Sequence, residues 1–244
     1  MNRARMLQLA VILLSVTVCT AAEPAARITL IEGTASILRQ GAAEWANARP
    51  NMPLSIGDEL FCRTESFVEI RYAMGTVVRM NENTKIVVRE ATGDAVKTDN
   101  PIGGVWVNMK KLTGKSKSFE MTSPTAVASI RGTVFQMTTG ADSTTAVDVF
   151  DGKVAVGPSD ELNKMLQAAK PPSPPGESGE VPGPEEVPGP YEVPLEQWTM
   201  IVAGQRISVK KNGTYAQDQF DMKTAGQDSF VKKNQELDKK AAAQ

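Results

Sequence analysis

From Arg27 to Gly157 apolar residues recur at every second position, in short runs rich in Val, Ile and Thr and cut by Gly, Asn and Asp. A period of two places alternate side chains on opposite faces of extended backbone, so this stretch is committed to many short strands. Ser66 to Tyr72 puts Val68, Ile70 and Tyr72 on one face. Thr76 to Met80 adds Val78 and Met80, and Lys85 to Arg89 adds Ile86 and Val88. The intervening Ala73-Met74-Gly75 and Asn81-Glu82-Asn83 are turns, because Gly and Asn tolerate left-handed backbone. Further strands are expected at Val105 to Met109, Ser118 to Met121, Val134 to Thr138, Ala146 to Phe150 and Lys153 to Val156, the last entered through the Asp151-Gly152 turn. The fold class is all-β, a stack of short strands. A β-solenoid-like body and a β-sandwich both satisfy the spacing.

The flanks differ from this body. Arg3 and Arg5 precede the apolar run Met6 to Val18 and the small residues Thr20-Ala21-Ala22, the pattern of a signal peptide over residues 1-22. The run is shorter than the roughly 20 residues a membrane-spanning helix needs, and Val18 before Cys19 argues against lipidation. A periplasmic or secreted location follows, with Cys62 as the one cysteine left after cleavage. Its ordinary role is a small buried hydrophobe in a strand. Residues 158-197 form a linker in which Pro171 to Pro194 holds nine of the 15 prolines, with Glu-rich spacers and a repeated Val-Pro-Gly-Pro. Proline removes backbone donors and favours extended, solvated chain, so this segment reads as a proline-rich excursion. Residues 198-216 return to strand character and are expected to complete the β domain of residues 27-157. Residues 217-244 are polar and Lys-rich, with Ser229 to Ala243 a weakly amphipathic helix.

Composition narrows the chemistry. The chain of 244 residues contains no histidine, which excludes Ser-His-Asp and Cys-His relays and histidine-containing zinc or iron sites. Its 27 basic and 28 acidic residues give a net charge of -1, with no basis for a nucleic-acid partner. Gly57-Asp58 and Asn81 to Thr84 offer oxygen ligands for calcium but lack the EF-hand spacing. Asp148 and Asp151 form a carboxylate pair of the kind used by glycosidases, yet Asp151-Gly152 reads as a turn. No catalytic, cofactor or metal residue is assigned, and the chain is not expected to be an enzyme. The candidate interaction residues are Arg131, which serves either to bridge Asp58 or Asp148 or to face a carboxylate or phosphate ligand, and the basic cluster Lys110, Lys111, Lys115 and Lys117 beside Trp106, suited to an anionic glycan or lipid headgroup. In the run Ala128 to Phe135, Gly132 permits a bend between strands and Thr133 can satisfy a nearby backbone group.

Several segments, in order, resemble the FecR domain, a periplasmic module of iron-dicitrate-type sensors. They are Gly33 to Ile37 with Trp45, Ile56 to Leu60 with Thr64, Val68 to Gly75, Val78 to Thr84, Gly103 to Val107, Phe119 to Pro124, Ala128 to Phe135, Val147 to Val154 and Val202 to Gln205. The resemblance implies a solenoid-like β body in the bacterial envelope and a signalling or protein-binding role. The sequence departs from the full-length sensors by having a short signal in place of their anti-sigma and membrane-spanning segments, so fold and compartment carry over more safely than iron regulation. The expected function is an exported, non-enzymatic sensor-like module for an envelope protein. The alternatives are an adhesive protein that binds cell-wall polysaccharide and, further away, a carboxylate-based glycan hydrolase.

Overall fold

The computed structural model describes residues 26–109, 117–169, 193–194 and 198–243. In chain order the elements are β1 (Ala26–Glu32), β2 (Ala35–Leu38), β3 (Ala46–Asn47), β4 (Pro53–Leu54), β5 (Glu59–Cys62), β6 (Phe67–Tyr72), β7 (Val77–Met80), β8 (Thr84–Ala91) and β9 (Ala95–Asn108). There follow β10 (Ser118–Thr122), β11 (Ala126–Ile130), β12 (Val134–Thr139), β13 (Thr145–Asp151), β14 (Lys153–Pro158), α1 (Asp160–Ala169), β15 (Val193–Pro194), β16 (Thr199–Val202), β17 (Gln205–Val209), β18 (Thr214–Gln219), α2 (Met222–Ala225) and α3 (Ser229–Ala242). The all-β class expected from the alternation is observed.

Strand pairing sorts these elements into two sheets. Sheet A runs β4-β1-β6-β7-β9-β12-β13-β17-β18-β15. Sheet B runs β3-β2-β5-β8-β9-β10-β11-β14-β16. The ladders are antiparallel except for β9 with β10. β9 belongs to both sheets. Its first half pairs with β8 and β10, and its second half with β7 and β12. The crossing is at Gly103, which has φ +94°, and a Cβ there would lie 2.3 Å from the Thr84 hydroxyl oxygen. Only glycine accepts both the left-handed backbone and that approach.

The inward residues of the two sheets form one core. Val68, Ile70, Val78, Met80, Val105, Val107, Phe135 and Val149 of sheet A meet Leu60, Cys62, Ile86, Phe119, Met121 and Val154 of sheet B. Tyr72 joins the layers twice, through its hydroxyl to Thr98 at 2.8 Å and through its ring to Phe119, edge-on with centroids 6.0 Å apart. Cys62 is buried and free, and burial pushes its thiol up to about 12. It acts as core and not as a nucleophile. At the β11–β12 crossing, Gly132 takes φ +70° and the Thr133 hydroxyl donates to the Lys153 carbonyl at 2.9 Å.

The C-terminal segment is part of the folded body. Asp228 caps α3, its carboxylate accepting from the backbone N–H of Phe230 and Val231, and Lys239 and Lys240 complement the dipole of the last turn. Phe230, Val231 and Asn234 are buried against the outer face of sheet A, where Phe230 meets Phe67 edge-on.

Candidate functional site

The outer faces of the two sheets are finished differently. On sheet A, cross-strand register places Glu69, Arg79, Trp106, Gln136, Asp148 and Arg206 in one lateral row. Such a row is unsuited to burial unless each charge finds a partner. α3 supplies part of what is missing. Arg79, with its side chain 2% exposed, donates to Glu69 at 2.7 Å and to Asp238 of α3 at 2.5 Å. The Trp106 indole N–H donates to the other Asp238 oxygen at 3.0 Å. Burial pushes the Glu69 carboxyl up, but hydrogen bonds from Arg79 and Thr29 and the charges of Arg79 and Arg71 outweigh it and hold the group below its ordinary value. Further along the row, both Asp148 oxygens accept from Arg206, which also lies over the Phe220 ring.

These partners account for several residues singled out by sequence. Trp106 is buried under α3 and is not a surface residue beside a basic cluster. Lys110, Lys111 and Lys115 lie outside the described residues, and Lys117 sits half-buried just before β10. The bridge expected from Arg131 to Asp58 or Asp148 is not made, because those carboxylates are already held. Asp58 accepts from Arg39 at 2.6 Å and from the backbone N–H of Ser55 and Gln40, and Asp148 is clasped by Arg206. Arg131 lies exposed in the turn between β11 and β12. Asp58 is thereby committed to Arg39 and not presented as a calcium ligand, and Asp148 is committed to Arg206 and not to a carboxylate pair with Asp151. Among the described residues, no group of three or more Cys, Asp and Glu side chains converges to hold a metal ion.

Among the described residues, no helix is laid across most of the outer face of sheet B. Exposed pairs such as Glu59 with Lys85 and Arg89 with Asp99 cross it. Toward β14 and β16 it carries Trp198, Met200 and Val202, each about half exposed. These three alternate along one strand and therefore share one face, with the inward Ile201 in the core. Here α1 leaves the sheet. Ser159 caps it by accepting from the Leu162 N–H, and Leu162 anchors it in the core. The divergence of α1 from β14 opens a cleft lined by Glu120, Thr122, Val127, Asn163 and Trp198, among others.

β16 is also an edge. Among the described residues it pairs only with β14. The Val202 N–H points away from β14 and is capped by the Gln205 side-chain oxygen at 3.0 Å. By the alternation of an antiparallel ladder, the Met200 N–H and C=O face the same open side. Sequence reasoning read this segment as returning strand and found neither the edge nor the cleft. The signal for the exposed face was present, since Trp198, Met200 and Val202 are large apolar residues at period two around one inward isoleucine.

Residues 58–155 match the family model described as FecR protein. This stretch runs from the turn before β5 into β14, the middle of both sheets. Trp198, β16 and α3 lie beyond it, as do the Gly33 to Ile37 and Val202 to Gln205 segments. Two crystal structures of a provisionally named anti-sigma factor from Parabacteroides distasonis ATCC 8503 are similar in part. The one at 1.65 Å shares 18% identity with a TM-score of 0.47, covering 67% of this chain and 60% of that one. The one at 2.50 Å shares 18% identity with a TM-score of 0.48, covering 70% and 64%. The chain thus spans less than two thirds of their length. No curated protein matches the chain.

Proposed function

We propose, from the premise that residues 58–155 are a FecR domain, that this chain is an exported, non-enzymatic sensor-like module that binds an envelope protein by adding a strand to the β16 edge. The observation that carries the reading is the open side of β16, where the Met200 backbone faces outward beside exposed Met200 and Val202 side chains. Strand addition uses such an edge, with backbone hydrogen bonds supplying affinity and alternate side chains supplying selectivity. Natural proteins usually blunt exposed edges with charge or proline, and this one bears apolar residues instead. Export is supported by the Arg3, Arg5 and Met6 to Val18 pattern.

Cross-linked capture from the protein's own envelope tests the reading. Met200→Pro deletes an outward N–H without touching the β14 ladder, since proline is tolerated at an edge whose N–H faces solvent. The expected result is loss of the captured partner with retained circular dichroism and melting. Capture that is unchanged in a folded Met200→Pro protein would falsify strand addition at this edge.

A further inference from the structure

The cleft between sheet B and α1 has a volume of about 780 Å3, within the roughly 300–1,000 Å3 span of small-molecule sites. Trp198, at its wall, is 55% exposed, yet its ring is seated. A Cβ added to Gly157 would lie 2.8 Å from both Cδ2 and Cε2 and 3.2 Å from Cε3 of the indole. The fused bond of the ring therefore rests over the Gly157 backbone, which fixes one face and leaves the other to solvent. Around it stand Glu120, Asp160, Glu161, Asn163 and Lys164. In contrast to the paired charges under α3, none of these five side chains has a hydrogen-bond or ion-pair partner among the described residues.

This combination selects a ligand chemistry. The indole face carries the negative part of the ring quadrupole and attracts polarised C–H groups laid flat on it. Free carboxylates accept charge-assisted hydrogen bonds from hydroxyl donors, and an amide both donates and accepts. One face of C–H groups edged by hydroxyls describes a pyranose ring. Three carboxylates against one ammonium disfavour an anionic polymer, and the open lining mixes these polar groups with the apolar Val127, Pro158 and Trp198. We infer that the cleft is a binding site for a neutral oligosaccharide, with Trp198 as the stacking platform, Gly157 as the residue that positions it, and Glu120 and Asn163 as hydrogen-bonding groups.

The site uses the outer face of sheet B and not the β16 backbone edge, so it stands or falls independently of strand addition. The test is calorimetric titration of the full chain with chitotetraose, cellotetraose and maltotetraose, with heparin as the anionic probe. At least one neutral tetrasaccharide is expected to bind and to shift the indole emission. Trp198→Ala should weaken binding at least about tenfold, the loss typical of a central aromatic anchor. Trp198→Phe should keep most of the affinity, and Gly157→Ala should weaken it by displacing the ring while the indole remains. Met200→Pro should bind normally, which separates the two surfaces. Binding of none of the three tetrasaccharides, unchanged affinity in Trp198→Ala, or binding of heparin alone overturns the proposal. So does self-association that Trp198→Ala abolishes, because the platform would then serve a second copy of the chain.

Discussion

The outer faces of sheets A and B are built from similar residue types and have opposite fates. Both carry acids, bases and a tryptophan at outward positions of adjacent strands. Under α3, Glu69, Arg79 and Asp238 pair and the Trp106 N–H is satisfied. Beside α1, Glu120, Asp160, Glu161, Asn163 and Lys164 have no side-chain partner among the described residues and surround an exposed Trp198. A charged, aromatic sheet face is therefore scaffold or ligand surface according to what covers it, and residue type alone does not say which.

The sharpest way to break this comparison is to remove one charge from each face. Arg79→Ala strands the Glu69 and Asp238 carboxylates, whose side chains are 11% and 17% exposed, and should lower stability by about 3 kcal/mol in denaturant unfolding, toward the cost of breaking a buried ion pair. Lys85→Ala, whose Glu59 partner lies on the open face with both side chains about a third exposed, should cost no more than about 1 kcal/mol. Equal losses would mean that α3 does not bury its network.

An intermediate effect is expected from pH. The folded Glu69 carboxyl titrates below its ordinary 4.5, so its contribution is present above that value and disappears as pH falls through the folded pKa. Stability should decline on acidification below about pH 4.5. Glu69→Gln should be less stable than the parent at neutral pH and should lose part of that acid slope. An acid slope unaltered by Glu69→Gln would remove the network from the account of acid sensitivity. Some slope should persist in the variant, because Asp142 and Asp221 are also held below their ordinary values by hydrogen bonds from Thr144 and from Thr224 and Lys223, respectively.

The inward faces were largely legible in the sequence. Val68, Ile70 and Tyr72, then Val78 and Met80, then Ile86 and Val88 follow a local rule, and each is buried. Gly132 and Thr133 were equally readable, because a turn and a hydroxyl bond to nearby backbone are local requirements. Of the two readings of Arg131, the bridge fails for the complementary reason, while its exposed side chain leaves the ligand-facing one standing. Its supposed partners Asp58 and Asp148 were claimed by Arg39 and Arg206, and nothing in the spacing ranks one arginine above another. Trp106 looks like part of a surface cluster because Lys110 and Lys111 follow it closely in sequence. Its neighbours in space are Phe150 and Asp238.

The tail shows the same division. Asp228 followed by Phe230, Val231, Asn234 and Leu237 signals a capped, one-sided helix, but not which surface receives it. The Arg79–Asp238 bond spans 159 positions and the Trp106–Asp238 bond 132. No periodicity reaches across such separations.

By itself, the sequence determined that the chain makes short strands with one apolar face, because alternation and turn chemistry act between neighbouring residues. It also excluded histidine-based chemistry outright. Only the tertiary structure decided which outward faces are covered. Coverage depends on where α1 and α3 come to rest, and that is set by packing between segments far apart in the chain.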